Sequence, residues 1–478
     1  MEVNARGPSP DPISEQVRLP RERRLTLAAL TCVTFFTTCG GAFGLEPLVS
    51  AVGPGWAVVL ILVVPLLYSL PIALMTAELA TLMPEEGGYY IWVREALGPF
   101  WAVQEAWWTM TSAITLLAIF PVLFVDYLGY LIPWIAVSAD GSGAGPLIRW
   151  LVAVAVIASA MVVNLRGAVD VGRSAKIGAA FVLGAFLLLV VLWLVHGSSP
   201  ANAIEIVARD MATNHRGAFL LGLSIVLFNY GGWDNVSTFA SEVDRPQRNY
   251  PLALGGTLLI TVLAYVIPVI AGITMTLDPT VWTTDAGWPV IARMIGGRGL
   301  GILLAMAGLV AQWALFNAQL LYVSRIPFVV ARDGWLPKAL ARADSDTAVP
   351  TTSIVCFCLV TALIASLSYG SLVVILCLLY TAALLLEFLA LVILRVRRPD
   401  AHRPFRVPFG RLGLAYVCLA PLGVAGVVLA ATFRDQDSYG PQFLGLVGIA
   451  LAGIALHFGR RKHAHALQAE ATSNADAG

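Results

Sequence analysis

Long apolar stretches are the feature that most constrains this chain. Twelve windows of about 20 residues are apolar enough to cross the hydrocarbon core of a bilayer as helices. Hydrophobic residues make up 58% of the 478 positions and charged residues only 12%, so the length cannot be divided into soluble domains. The windows cover approximately residues 25–51, 55–82, 99–131, 146–165, 174–196, 217–241, 250–276, 299–330, 350–369, 371–394, 412–433 and 441–458. The chain is therefore predicted to be an all-α membrane protein with twelve transmembrane helices.

Two glycine pairs interrupt these stretches at matching places. Gly40-Gly41 lies in the first window and Gly231-Gly232 in the sixth, and each pair is followed closely by an acid, Glu46 or Asp234. Glycine allows the backbone to leave the helical conformation, and non-helical backbone at membrane depth must be satisfied by protein or by a wet cavity. Two broken helices in corresponding positions point to the binding site of a secondary transporter. The alternative interpretation is that the pairs are small-residue packing faces, which are common in membrane helices.

The basic residues predict the orientation of the spans. If the N-terminus is cytoplasmic, about four-fifths of the lysine and arginine residues fall on the cytoplasmic side. Both termini are then cytoplasmic, and spans one and six run in opposite directions, as in a five-plus-five inverted repeat. The expected location is the cell membrane, plasma or inner. The predicted divisions are a disordered cytoplasmic tail at 1–24, a transmembrane domain at 25–458 (repeat one 25–196, repeat two 217–394, two extra helices 412–458) and a cytoplasmic tail at 459–478.

The polar residues argue against an enzyme. The six cysteines lie in apolar segments, and the six histidines fall at segment ends, in loops or in the tail, so the sequence contains no metal-ligand arrangement. It also contains no catalytic or nucleotide-binding motif near a span. A net charge of +1 gives no argument for a nucleic-acid partner. We therefore expect no metal and no cofactor, and the expected partners are a small-molecule substrate, a coupling proton and the lipid bilayer.

A broken helix can bind a zwitterion, because it exposes free N–H groups at one new end and free C=O groups at the other. The amides of the first break are expected to meet a carboxylate, and carbonyls of the second break are expected to meet an ammonium group. The predicted substrate-binding residues are Cys39, Gly40, Gly41, Ala42, Phe43, Phe228, Asn229, Gly231, Gly232 and Trp233. Glu46 and Asp234 follow the breaks directly and are the predicted sites of ammonium binding or proton coupling.

Five stretches resemble a known family when they are taken together and in this order. They are GGAFG at the first break, AELATLMPEEGGYY (77–90), NYGGWDNVSTFASEVDRPQRNYP (229–251), SRIPFVVARDG (324–334) and RRPDAHRPFRVP (397–408). The chain resembles the amino acid–polyamine–organocation superfamily of permeases. Some motifs are similar to its polyamine uptake branch and others to its L-type amino acid branch. The resemblance implies the inverted repeat with broken helices 1 and 6, and transport by alternating access.

The resemblance also implies roles for single residues. Phe228 resembles the aromatic gate over the substrate, with Trp233 as a second candidate. Glu78 lies in the AEL pattern and is expected to brace span two against cytoplasmic gate groups. Lys176 matches a span-five lysine that carries coupling in proton-driven members, although a lysine near a span end also extends its charge to the interface.

The remaining intramembrane acids are less informative. Glu105 and Glu387 lie in the inner halves of their spans and are candidates for a functional role, the alternative being that either is a satisfied packing group. The polyamine branch carries an acid in span three near Thr115, and this chain has none there. We therefore expect a proton-coupled transporter of amino acids or related amines, with an α-amino acid preferred to putrescine. The alternatives are a polyamine symporter, an uncoupled amino acid exchanger and, from another class, a sensor or channel.

Overall fold

The structure is a computed structural model that describes residue 20 and residues 24–136, 143–196, 200–212, 219–283, 287–344, 347–365, 370–434 and 447–459. The tails predicted at 1–24 and 459–478 lie almost wholly outside these residues. Parts of the predicted spans 350–369 and 441–458 also lie outside them.

Regular structure in the described residues is helical, and strand pairing is limited there to two isolated bridges. The helices are α1 (Leu27–Thr38), α2 (Glu46–Val64), α3 (Leu70–Leu82), α4 (Tyr89–Leu97), α5 (Pro99–Leu131), α6 (Pro146–Leu165), α7 (Ala168–Val195), α8 (Pro200–Ala212), α9 (Phe219–Asn229), α10 (Pro246–Met275), α11 (Pro279–Trp282), α12 (Gly287–Val323), α13 (Arg325–Arg332), α14 (Thr351–Ile364), α15 (Gly370–Arg397), α16 (Gly410–Arg434) and α17 (Val447–Gly459). Helix α12 lies centrally, packed against α5 and α7, and α15 packs against α5.

Eight helical stretches in the described residues are long and apolar enough to cross a membrane, and four shorter apolar helices accompany them. Two of the shorter helices, α1 and α9, end at the glycine pairs. One of the long stretches, Glu46–Leu82, joins the end of predicted span one to predicted span two. Within it Gly53 has φ 80° and ψ 165°, so the helix changes direction there without a separate loop.

A π-helical turn, Pro65–Ser69, joins α2 to α3. Proline has no amide proton, so Pro65 cannot donate to the carbonyl of Ile61 four residues earlier. The hydroxyl of Tyr230, from the chain just after α9, donates to that carbonyl instead at 2.9 Å. The carbonyl that Pro65 leaves without a helical donor is therefore hydrogen-bonded by a residue more than 160 positions away.

Ion pairs collect at the end of the bundle where α4 and α13 lie, which we call the α4 end. Glu78 pairs there with Arg395 and Arg403 and accepts from the amide of Val407 at 2.8 Å. Arg325 and Glu242 form a two-pronged pair, with N···O distances of 2.8 and 3.2 Å, and both residues are buried. Charges buried this deeply are costly unless paired, so these contacts hold the connectors tightly to the helix ends.

Candidate functional site

The first break runs from the end of α1 to the start of α2. Gly40 and Gly41 have φ values of 70° and 100°, which residues with a side chain rarely adopt. The Gly40 amide donates to the carbonyl of Phe35 at 3.1 Å, and the Gly41 amide contacts the Cys39 sulfur at 3.3 Å. Two of the three amides predicted to receive a carboxylate are therefore already engaged inside their own loop.

The acid after this break closes the loop. Glu46 is buried, and its Oε2 accepts from the amide of Gly44 at 2.8 Å. Its other oxygen accepts from the hydroxyl of Tyr127 at 3.2 Å. The carboxylate thus supports the start of α2, where the helix dipole favours negative charge.

The second break runs from the end of α9 through Gly231-Gly232 into two short 3₁₀ turns. Gly232 has φ 88°, and its amide donates to the Tyr380 hydroxyl at 2.9 Å. That hydroxyl in turn donates to Asp234 at 2.5 Å. Asp234 is 1% exposed, so one tyrosine of α15 satisfies both the broken backbone and the buried acid.

Two further helices satisfy carbonyls of the second break. The Tyr265 hydroxyl of α10 donates to the carbonyl of Asn229 at 2.7 Å. The Ser69 hydroxyl, at the π-helical turn, donates to the carbonyl of Tyr230 at 3.1 Å. Two carbonyls that a helix would have used internally are therefore held by partners from elsewhere in the fold.

A cavity of about 150 Å³ lies between the two breaks. Six of the ten predicted binding residues line it: Cys39, Phe43, Phe228, Asn229, Gly231 and Gly232. Walls from α5, α12, α15 and α16 complete the cavity, and no lysine or arginine is among its described lining residues. The breaks therefore meet at a space of small-molecule size with no charged residue in its described lining.

The other four predicted binding residues lie behind this wall. Gly40 and Gly41 face neighbouring side chains closely, since a methyl group added at Gly40 would lie 2.7 Å from Leu315. The Ala42 carbonyl accepts from the Trp288 indole at 2.8 Å. Trp233 is fully buried and donates to the carbonyl of Tyr230, away from the cavity lining.

The remaining predicted residues lie apart from the cavity. Lys176 is exposed on α7. Glu78 belongs to the ion pairs of the α4 end. Among the residues proposed for coupling, Asp234 is joined to a cavity-lining side chain, that of Tyr380.

Sequence reasoning missed several polar residues around the cavity. Thr109 lines it and donates to Glu105 at 2.8 Å. Glu105 and Glu387, for which a satisfied packing role is one alternative, each have one carboxylate oxygen without a hydrogen-bond partner in the described part of the chain. A signal was present, since Tyr380 and Glu387 are seven residues apart in an apolar segment and so share one helix face.

Comparison with known proteins places the chain in a family. A family model described as amino acid permease matches residues 25–446. A probable polyamine transporter of Arabidopsis thaliana is 35% identical over 85% of this chain and 83% of that protein. The polyamine transporter PUT1 of Oryza sativa subsp. japonica is 34% identical over 89% and 77%. The human cystine/glutamate transporter is 26% identical over 95% and 89%.

A solved structure shares the fold. The crystal structure of MhsT in complex with L-phenylalanine aligns with a TM-score of 0.63 at 16% identity, covering 85% of this chain and 98% of that one. The names of the family and the relatives indicate a transporter rather than an enzyme, and the apolar helices indicate a multi-pass membrane protein. The resemblance to the amino acid–polyamine–organocation superfamily is confirmed, and the chain belongs to the amino acid permease family.

Proposed function

We propose that this protein is a proton-coupled secondary transporter of cationic amines, with polyamines as the preferred class. One observation carries the proposal: two buried carboxylates are joined to the cavity through hydroxyl groups that line it. Tyr380 connects the cavity to Asp234, and Thr109 connects it to Glu105. A cavity whose lining hydroxyls are bonded to buried acids, with no basic residue in its described lining, attracts cations and disfavours free carboxylates.

The first break also favours a cationic amine as the substrate. An α-amino acid needs free amides for its carboxylate, and those of Gly40 and Gly41 have partners in the loop. The expectation that an α-amino acid would be preferred to putrescine rests on the N–H groups at Gly40-Gly41 and on the absence of an acid at Thr115. Glu105 supplies an acid to the same helix about 15 Å further along its axis. The polyamine transporters among the relatives support a diamine as well.

An amino acid is the second candidate substrate. The amides of Ala42 and Phe43 make no hydrogen bond in the described part of the chain. These two amides favour a small zwitterion whose carboxylate lies at the first break. The relative named as a cystine/glutamate transporter supports this candidate.

We assign the working parts as follows. Span one comprises α1 and the first turns of α2, and span six comprises α9 and the 3₁₀ turns after it. Spans one to five (25–196) and six to ten (217–394) form the inverted pair, and α16 and α17 are the extra helices. Phe228, half-buried at the cavity wall, is the gate. Both termini are cytoplasmic, and substrate access alternates around the two breaks.

Uptake into proteoliposomes tests the proposal. Radiolabelled putrescine and a mixture of L-amino acids are offered separately, with and without an imposed pH gradient, and protein-free liposomes are the control. We expect saturable putrescine uptake that the gradient increases. Uptake of an amino acid but not of putrescine would establish the second candidate, and uptake only against preloaded substrate would establish an exchanger. Binding of substrate without any flux would indicate a sensor.

A further inference from the structure

Two buried acids lie between the cavity and the α4 end. Glu105 lies one turn from the cavity-lining Thr109, and Glu387 lies two turns beyond the cavity-lining Tyr380. Their exposed fractions are 0% and 1%, and neither lines the cavity. Each keeps one carboxylate oxygen without a hydrogen-bond partner in the described residues, although intramembrane acids are costly and normally have partners.

A buried tyrosine from outside the membrane-spanning helices interacts electrostatically with the same acids. Tyr89, at the start of α4, is fully buried, and its hydroxyl has no hydrogen-bond partner in the described residues. Burial, and then the charges of Glu105, Tyr322, Asp234 and Glu387, raise the pKa of this hydroxyl well above its usual value. The Tyr89 hydroxyl therefore stays protonated and lies within the electrostatic reach of all three acids. We call Glu105, Glu387, Asp234 and Tyr89 the acid cluster.

Ionising all three carboxyl groups of the acid cluster at once would cost much free energy. Glu387 lies close enough to both Asp234 and Glu105 for their charges to interact. Like charges that are buried together disfavour ionisation of the whole group, and a shared proton relieves the repulsion. No arginine or lysine forms a described ion pair with any of the three acids, whereas Glu78 and Glu242 at the α4 end have arginine partners. A small cation must supply the missing charge.

Because Glu105 and Glu387 are buried, a proton fits their unpaired oxygens better than a larger cation does. Neither glutamate borders the cavity, so an ammonium group in the cavity cannot touch their unpaired oxygens without a rearrangement of α5 or α15. A proton needs no such space and can occupy a carboxylate oxygen directly. We propose that Glu105 and Glu387 together bind and release the proton that drives transport, an inference that rests on the proposed function.

The acid cluster is connected to the substrate site. Tyr380 accepts from the Gly232 amide and donates to Asp234, which interacts with Glu387. Tyr380 and Glu387 lie about 10 Å apart along one helix. A change of charge at Glu387 therefore alters the field at Asp234, whose partner Tyr380 supports the broken backbone. Proton binding at the glutamates thereby affects the second break without direct contact with the substrate.

The experiment separates proton movement from substrate movement. Proteoliposomes containing a pH-sensitive dye are made with wild-type protein, Glu387→Gln and Glu105→Gln. Glu205→Gln is the control, because it changes an exposed acid of α8 that pairs with Arg209. Putrescine-dependent proton movement and putrescine/putrescine exchange are measured in parallel. A second readout on wild-type protein is mass-spectrometric mapping of a hydrophobic carbodiimide, which modifies buried protonated carboxyl groups.

We expect Glu387→Gln to keep exchange within about twofold of wild type, and both Glu387→Gln and Glu105→Gln to lose putrescine-dependent proton movement by about tenfold or more. We also expect carbodiimide labelling of Glu105 or Glu387 that declines as the pH rises. Wild-type proton movement in both variants, loss of exchange together with proton movement in Glu387→Gln, or no labelling of either glutamate would overturn the inference. Absence of any substrate exchange in wild-type protein would instead overturn the proposed function.

Discussion

The two helix breaks look alike in sequence and differ in how their backbone is satisfied. At the first break the amides of the loop are taken by its own neighbours, Phe35, Cys39 and Glu46, while α12 donates to two of its carbonyls. The second break is held by side chains from three other helical segments, through Ser69, Tyr265 and Tyr380. Amides held within their own loop can move with it, whereas an amide held by another helix, as Gly232 is by Tyr380, must move with that helix or release it. The second break is therefore the better place for coupling between substrate and the rest of the bundle.

The acids show the same contrast. Glu46 caps the loop that contains it, and the structure gives it Gly44 and Tyr127 as partners. Asp234 has a partner that lines the cavity and lies near two further acids. Glu46 and Asp234, which hold matching positions in sequence, thus have different environments. Glu46 supports its own loop, and Asp234 is connected to the substrate site through Tyr380.

The largest effect is expected from Gly232→Ala. A methyl group there would lie 2.6 Å from the carbonyl oxygen of Thr37, and φ 88° disfavours any side chain. We expect uptake to fall by about a hundredfold, because the break would shift relative to α1. Gly231→Ala is the matched control, since its added methyl would meet Tyr380 at an ordinary 3.4 Å. Equal uptake by the two variants would mean that the second break does not need its observed geometry.

Replacing the acids tests the contrast directly. Asp234→Asn removes a charge joined to the cavity, and we expect the affinity for putrescine to fall by about tenfold. Glu46→Gln should leave that affinity within about twofold and lower the thermal unfolding temperature instead. Competition binding and thermal unfolding of the purified proteins measure both. The reverse outcome, with affinity lost in Glu46→Gln only, would make the first break the ammonium site.

Replacing the tyrosines that contact the acids should change putrescine binding less than replacing the acids does. Tyr380→Phe removes the hydroxyl between Gly232 and Asp234, and loss of hydrogen bonds worth about 1–1.5 kcal/mol should weaken putrescine binding about five- to tenfold. Tyr127→Phe removes the partner of Glu46, and binding should be retained. Titration of each variant with labelled putrescine gives the comparison. If Tyr127→Phe weakens binding as much as Tyr380→Phe, the two breaks are not distinguished by their partners.

The smallest effect is expected from Glu86, in the loop before α4 that contacts the chain after the second break. The quantity affected is the pH dependence of thermal stability. The Gly87 amide donates to the carbonyl of Thr238 at 2.8 Å, and Glu86 pairs with Phe239. Although part of Glu86 remains exposed, burial, and then the charge of Glu242, raise its pKa from 4.5 to about 8. The folded state thus holds this proton more tightly than the unfolded state.

The sign of the pH effect follows from that shift. The contribution of Glu86 is fully present below pH 4.5 and is lost as the pH rises through about 8. Wild-type protein should lose thermal stability between pH 5.5 and pH 9, and Glu86→Gln should lose about 1 °C less over the same interval. Unfolding scans at both pH values measure this. Identical pH profiles for the two proteins would show that Glu86 does not titrate in this range.

The sequence predicted the positions of the breaks and not the partners that hold them. Gly40, Gly41 and Gly232 could be found because a positive φ at an apolar site is nearly a property of glycine alone. Tyr380 could not be assigned to Gly232, because 148 residues separate them and only the packing of α15 brings them together. For the same reason the unpaired oxygens of Glu105 and Glu387 could not be predicted. Whether a carboxylate oxygen has a hydrogen-bond partner depends on which helices pack around it, and the spacing of residues in the sequence does not give that packing.

The proline that leaves Ile61 without its helical donor has a further consequence. Replacement of Pro65 by alanine would supply a new amide that competes with the Tyr230 hydroxyl for that carbonyl, and it would also raise the helix propensity of the segment. The residue that improves the local helix would therefore weaken its attachment to the second break. Selection for stability and selection for transport act in opposite directions at this position, so a stabilised variant found by screening on unfolding temperature could be one that no longer transports.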